Sequence, residues 1–319
     1  MKRTIRTLTA FGIFAALLIF PGAAADAVKA GLKMCAGVII PSLFPFFVAT
    51  NLISELGVSR LAANALTPFG TKVFGVSGHG VAAFIIGITG GYPMGAAYIA
   101  ALRKASLIDG SEASRLLLFC NNSGPAFIIG AAGVGVFSSA MIGFFLYSVH
   151  ILSAMILGIV LSPGVRYDLC YDEEPVGSVP FSDAFTSAVK RSADAMISVC
   201  AFVIAFSALN GILDGFGTLS AAAGQLSVLT GAELSWCRAL IAGILELGNG
   251  IGSMSGLEAT PINLSLAAFI LGWGGVSVHF QTFSMVAGTD IKTARYIIGR
   301  FFAALIAAAM ALLGAVVLF

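Results

Sequence analysis

Apolar runs that approach or exceed the roughly 20 residues needed to cross a hydrocarbon core recur from one end of this sequence to the other. No other feature constrains the fold as much. Of 319 residues, 58% are hydrophobic and only 10% charged, and the mean hydropathy is +0.99. A soluble domain carries about 25% charged residues, so too few charges are present here to cover a soluble surface. The runs are continuous, unlike the short alternating segments of a β-barrel. The expectation is an all-α polytopic membrane protein that resides in the cell membrane.

The apolar runs predict helices at 8–25 and 34–56, an interrupted segment at 80–102, a broken span at 114–137 and a helix at 139–162. A long hydrophilic stretch follows, "SPGVRYDLCYDEEPVGSVPFSD". Beyond it come a helix at 186–211, an interrupted segment at 236–257, a broken span at 262–288 and a last helix at 294–318. The N-terminal "MKRTIRTLTAFGIFAALLIFPGAAADA" fits a cleaved signal peptide and an uncleaved first helix equally well. In both cases its basic end stays inside.

The excess of Lys and Arg in cytoplasmic loops tests how these segments thread. If 80–102 and 236–257 are re-entrant hairpins, fourteen of the 17 basic residues fall inside, Arg300 among them, and Lys29, Lys33 and Arg238 fall outside. A full crossing at 80–102 would move the basic turn after it outside. The hairpin threading also makes the two halves similar but opposite in sense: helix, hairpin, broken span, helix. Glycines recur at four-residue intervals in both hairpins, as Gly87, Gly91, Gly95 and as Gly248, Gly252, Gly256. Small residues at that spacing permit close backbone packing. An inverted-topology repeat with re-entrant hairpins and broken transmembrane helices is a hallmark of secondary transporters. Irregular backbone at membrane depth must be buried in protein or line a watery cavity, so the four interruptions should meet near the midplane.

The interruptions supply the candidate substrate-binding residues. In "GITGGYPMGA" these are Thr89, Gly90, Gly91 and Tyr92, just before Pro93, which suits the first turn of a new half-helix. In "CNNSGPAF" they are Asn121, Asn122 and Ser123, ahead of Gly124-Pro125. Proline disrupts the preceding turn, so the two amides either repair the break or hold a solute. A half-helix starting near Pro125 would present free N–H groups and a positive dipole end, an anion site. In "ILELGNGIGSMSG" the ionisable Glu246 lies inside an apolar segment and is a functional candidate by default. It could carry a coupling proton, hold a cation when ionised, or pair structurally with Arg238. Asn249 accompanies it. In "FILGWGGVSVHFQTFSM" the break at 273–275 is followed by Ser277, Gln281 and Ser284 on one helical face; His279 falls elsewhere and reads as a packed histidine.

No metal or cofactor site is expected. Cys35, Cys120, Cys170, Cys200 and Cys237 are scattered, as are His79, His150 and His279. No nucleophile–base pair, GxxxxGK[ST], HExxH or GxSxG motif points to an enzyme.

"GLKMCAGVIIPSLFPFF", "GITGGYPMGA" and "CNNSGPAFIIGA", in that order, resemble the YlbJ-type sporulation integral membrane proteins. These belong to a nucleoside-recognition or gate-domain group related to concentrative nucleoside transporters and to the membrane portion of FeoB iron transporters. The resemblance implies an uncleaved first helix at 1–30, gate-like repeats at 31–163 and 186–319, and a cytoplasmic linker at 164–185. It implies a role in spore formation, where the family is linked to movement of dipicolinate, a small dicarboxylate, with the outer forespore membrane as one location. The expected activity is secondary transport of a small-molecule anion. A nucleoside or cation-coupled carrier, or a non-transporting scaffold acting through the acidic 172–174 loop, is the alternative. The other partners are the lipid bilayer and, as an option, further copies of the chain; nothing points to nucleic acid.

Overall fold

The computed structural model describes residues 2–162 and 179–318. Most of the hydrophilic stretch, with Cys170 and the 172–174 loop, lies outside the described residues. The first element, α1 (Lys2–Ile19), ends where Pro21 opens α2 (Pro21–Glu55). Proline tolerates the first helical turn because its missing N–H would be unpaired there. The apolar runs predict two helices at 8–25 and 34–56; instead one break falls at Phe20 and α2 runs on for 35 residues. Pro41 does not end it, because the turn at Cys35–Ile39 widens to π spacing, with Ile40 N–H bonding Cys35 O. That widening accommodates the ring where an α-turn would clash.

Next come α3 (Val58–Val73), α4 (Gly78–Gly90), α5 (Met94–Lys104), α6 (Gly110–Cys120), α7 (Ala126–Val136, π-wound) and α8 (Ala140–Val160). The second half comprises α9 (Phe181–Gly215), α10 (Thr218–Thr230), α11 (Leu234–Leu245), α12 (Leu247–Gly252), α13 (Pro261–Trp273), α14 (Gly275–Met285) and α15 (Ala294–Leu318). The order repeats: long rod, short helix, hairpin, broken span, helix. The short helices α3 and α10 were not anticipated. Each follows a left-handed glycine, Gly57 at φ 69° and Gly217 at φ 70°, and α3 meets α4 at 90°.

The rods α2 and α9 pack antiparallel. Asn51 donates to Ser192 Oγ at 2.9 Å, and Arg191 pairs with Glu55 at 3.2 Å near one end. Phe20 meets Phe216 edge-on, 4.4 Å between centroids, at the other. At about 1.5 Å per residue each rod is ~52 Å long, well over the ~30 Å hydrocarbon core. The pair must cross obliquely or protrude.

Both hairpins are re-entrant and enter from opposite ends. The first, α4–α5, has its feet among the basic loops: Arg115 donates to Gly75 O at 2.6 Å, Glu112 accepts from Ser77 N–H at 2.6 Å, and Arg103 binds Asp290 at 2.8 and 3.0 Å. The second, α11–α12, has its foot beside α9, where Arg238 binds Asp214 at 3.1 Å. Side-chain caps start the half-helices: Ser77 on Gly80 N–H, Asp109 on Glu112 N–H, Thr260 on Asn263 N–H. Each satisfies an otherwise orphaned donor.

The glycine ladders behave differently. A Cβ on Gly87 or Gly95 would overlap the Cys120 carbonyl, and Gly91 abuts Gly124. In the second hairpin Gly252 and Gly256 face open space. The close approaches there are Gly250 against Gly243 and Gly248 against the Met34 side chain, so of the ladder at 248–256 only its first glycine packs closely.

Candidate functional site

Four breaks in helical backbone lie inside this bundle. Gly91 at φ 80° turns α4 into α5, ahead of a cis Tyr92–Pro93 bond. Residues 121–124 separate α6 from α7, with Asn121 extended at φ −94°, ψ 96°. Glu246, at φ −146°, ψ 126°, separates α11 from α12. Gly274 and Gly275, at φ 82° and 83°, separate α13 from α14.

Each break touches the next. A Cβ on Gly91 would sit 2.8 Å from Gly124 N. One on Gly274 would meet the Tyr92 ring at 3.2 Å, and one on Gly275 would meet Leu247 N at 2.9 Å and Glu246 Cα at 3.1 Å. The chain of contact therefore runs from the first broken span through the first hairpin and the second broken span to the second hairpin. Where they meet is a cavity of about 40 Å³, lined by Tyr92, Ser123, Gly124, Glu246, Gly248 and Gln281, with apolar walls from both rods. At ~10–15 Å³ per water, it holds a few waters.

One residue at this junction escaped the sequence reading. Arg300 was counted with the basic residues inside, but α15 carries it into the core, where it is fully buried. Its guanidinium donates to the Tyr92 hydroxyl at 2.6 Å, to Asn122 Oδ1 at 3.1 Å and to the Gly272 carbonyl. It thus ties together the first hairpin and both broken spans. Its Nε has no partner, and it belongs to none of the ion pairs among the described residues. A buried charge without a counter-charge is costly and at membrane depth marks a functional site by default. The available signal was an arginine inside a 25-residue apolar helix.

Comparison with known proteins supports this architecture. No family model matches the chain. The chain is 30% identical, over 332 aligned positions, to the Sporulation integral membrane protein YlbJ of Bacillus subtilis (strain 168), covering 94% of this chain and 79% of that one. This chain belongs to the YlbJ family. Solved structures share the YlbJ-family chain's fold at lower identity. A CNTnw variant in the intermediate 3 state has a TM-score of 0.55 at 16% identity, covering 98% of this chain and 86% of that one. CNTnw in an inward-facing substrate-bound state has 0.51 at 16%, covering 98% and 84%. These are concentrative nucleoside transporter chains. The YlbJ-family chain is accordingly a multi-pass membrane protein with a transporter-like fold.

Several candidate residues meet in the YlbJ-family cavity. Tyr92, Ser123, Glu246 and Gln281 line it, and Ser277 accepts from Gln281 at 3.3 Å. Gly90 and Gly91 form the buried hairpin tip behind it. Glu246 caps α12 through Asn249 N–H at 2.6 Å. It does not pair with Arg238, which Asp214 holds instead.

Asn121 and Asn122 stand behind the wall. Asn121 accepts from Ala96 N–H and donates to Thr282 and Tyr296 hydroxyls at 2.8 and 3.1 Å. Asn122 donates to Phe119 O at 2.6 Å while receiving Arg300. Ser123 N–H donates to His150 Nε2 at 3.0 Å, which puts the imidazole proton on Nδ1.

Thr89 is not at the site. It is exposed, and its hydroxyl returns to Ile85 O at 2.8 Å, the usual local bond of a helical threonine. Ser284 is exposed as well. Asn249 faces a second cavity, bonded to Ser207 at 3.3 Å. His279 packs edge-on against Trp273 at 4.3 Å between centroids, the packed histidine expected.

Proposed function

We propose that this protein is a secondary transporter rather than an enzyme, and that it carries a small anionic solute, with dipicolinate the candidate during sporulation and the outer forespore membrane the place. The observation that carries the reading is the contact of all four helix breaks around one cavity whose wall includes Glu246. Irregular backbone gathered at membrane depth is how transporters of inverted-repeat design hold solute. Arg300, a buried cation lacking a protein counter-charge just behind Tyr92, favours an anion over a neutral or cationic solute. Glu246 then serves as the proton carrier: protonated, it leaves the cavity wall uncharged for an anion to enter. Tyr92, Ser123 and Gln281 are the solute contacts in this scheme, and Asn121 and Asn122 hold the break that positions them. The name of the Bacillus subtilis relative supplies the sporulation setting.

The fold shared with nucleoside transporters favours a second reading, a nucleoside carrier. Uptake of labelled dipicolinate into proteoliposomes, with and without excess uridine or adenosine, separates the two. The expected result is uptake that unlabelled dipicolinate suppresses and nucleosides do not. Suppression by nucleosides, or nucleoside uptake without dipicolinate uptake, overturns the anion reading.

A further inference from the structure

The central cavity, at about 40 Å³, is too small for a solute in this conformation, yet a much larger space lies next to it. A cavity of about 370 Å³ opens between α2, α9, α10 and the second hairpin. That falls in the range of small-molecule sites, ~300–1,000 Å³. The two cavities share Gly248, so the turn of α12 at 248–249 lies at their boundary, with Met34 packed on it. The large cavity sits at the end opposite the basic loops, on the outer side by the charge distribution. Its polar lining comes from Ser207, Asn210, Asp214, Arg238, Asn249 and Ser253.

Asn210 decides what this space is for. It is 8% exposed, and both its amide nitrogen and its amide oxygen lack any partner. A buried carboxamide left unpaired costs free energy and is expected to have a missing ligand or water. Ser207 and Asn249, which could have satisfied it, bond to each other. An amide offers one donor and one acceptor side by side. A protonated carboxyl presents the complementary pair and closes a two-bond ring with it. Arg238 lines the same cavity and is held only by a half-exposed carboxylate, Asp214. It can receive a second, ionised carboxylate.

We propose that this cavity is an outer docking site for a small dicarboxylic acid in its singly protonated form. Asn210 pairs with the acid group, Arg238 with the carboxylate, and the turn at 248–249 separates the docked solute from the central cavity. The inference rests on the anion-transport reading for its ligand class. Its test is dipicolinate, phthalate and succinate binding to the purified full-length protein by titration calorimetry, with uptake measured in parallel.

Asn210→Leu, similar in size but unable to hydrogen-bond, is expected to weaken dipicolinate binding at least tenfold, and Asn210→Gln to restore part of it. Gly252 lines the cavity, and a Cβ added there meets nothing within 4 Å. Gly252→Phe starts from that open position and should place its ring in the space and abolish both binding and uptake, with the melting temperature reporting whether the fold is kept. Wild-type binding and uptake in Asn210→Leu and Gly252→Phe would overturn the docking site while leaving transport standing. Asn210-dependent binding with no uptake by the wild type would instead overturn transport and leave the docking site standing. No binding of any of the three acids to the wild type overturns it as well.

Discussion

The two hairpins occupy equivalent places in the inverted repeat, but they are built to different tolerances. The first is clamped. Gly87 and Gly95 leave no room for a methyl group against the Cys120 carbonyl, the tip rests on Gly124, Arg300 holds Tyr92, and Arg103 and Glu112 fix the feet. The second is open. Its return helix α12 has six residues, Gly252 and Gly256 face empty space, its foot is held by one half-exposed ion pair, and a large polar cavity lies along it. It also carries the cavity's ionisable group. On the proposed transport function, the first hairpin would hold the site in place and the second would admit solute and proton.

The largest effect should come from breaking the clamp. Gly87→Ala forces a methyl into backbone and is expected to cost about 3 kcal/mol, seen as a large drop in melting temperature or loss of monodisperse protein. The matching change on the other side, Gly252→Ala, should shift stability by no more than about 0.5–1 kcal/mol. Equal losses at the two positions would dissolve the contrast.

Arg300→Met comes next. It removes the buried cation while keeping a long apolar stem, and dipicolinate uptake is expected to fall at least tenfold. Retained uptake would mean that Arg300 only ties helices together.

The smallest effect is expected at the feet. The guanidinium of Arg103, hydrogen-bonded to Asp290, holds that carboxyl below its ordinary value. A lowered carboxylate stabilises the fold above its unfolded pKa of ~3.9 and ceases to as the pH falls through its folded value. Asp290→Asn should therefore lower the melting temperature slightly at pH 7 and progressively less as the pH falls through the carboxyl's folded value, and added salt should shrink the difference. A pH-independent effect would show that the ion pair is not its source.

The same contrast explains what could be read from sequence. Prolines and paired glycines announce themselves, so the hairpin tip at Gly91–Pro93, the break before Pro125 and the break at Gly274–Gly275 were legible, as was Glu246. Continuity is harder to read. Pro41 looks like a stop, and only the widened turn ahead of it carries α2 through. The depth of Arg300 depends on which face of α15 meets the broken spans, which periodicity does not reveal in a helix whose apolar residues lie on every face. Thr89 lies away from the cavity, exposed and bonded to its own helix at Ile85 O, which its place beside the break did not reveal. The ladder at 248–256 has the right spacing, but spacing does not say what lies opposite.

The central claim is that the meeting point of the four breaks is a proton-coupled solute site with Glu246 as its titrating group. Glu246→Gln keeps an oxygen to cap Asn249 N–H, so the fold should survive. The decisive measurement is dipicolinate uptake into proteoliposomes with and without an imposed pH gradient, for the wild type and Glu246→Gln. The account predicts gradient-driven accumulation in the wild type and only gradient-independent equilibration in the variant. Accumulation that follows the gradient equally in both would contradict it.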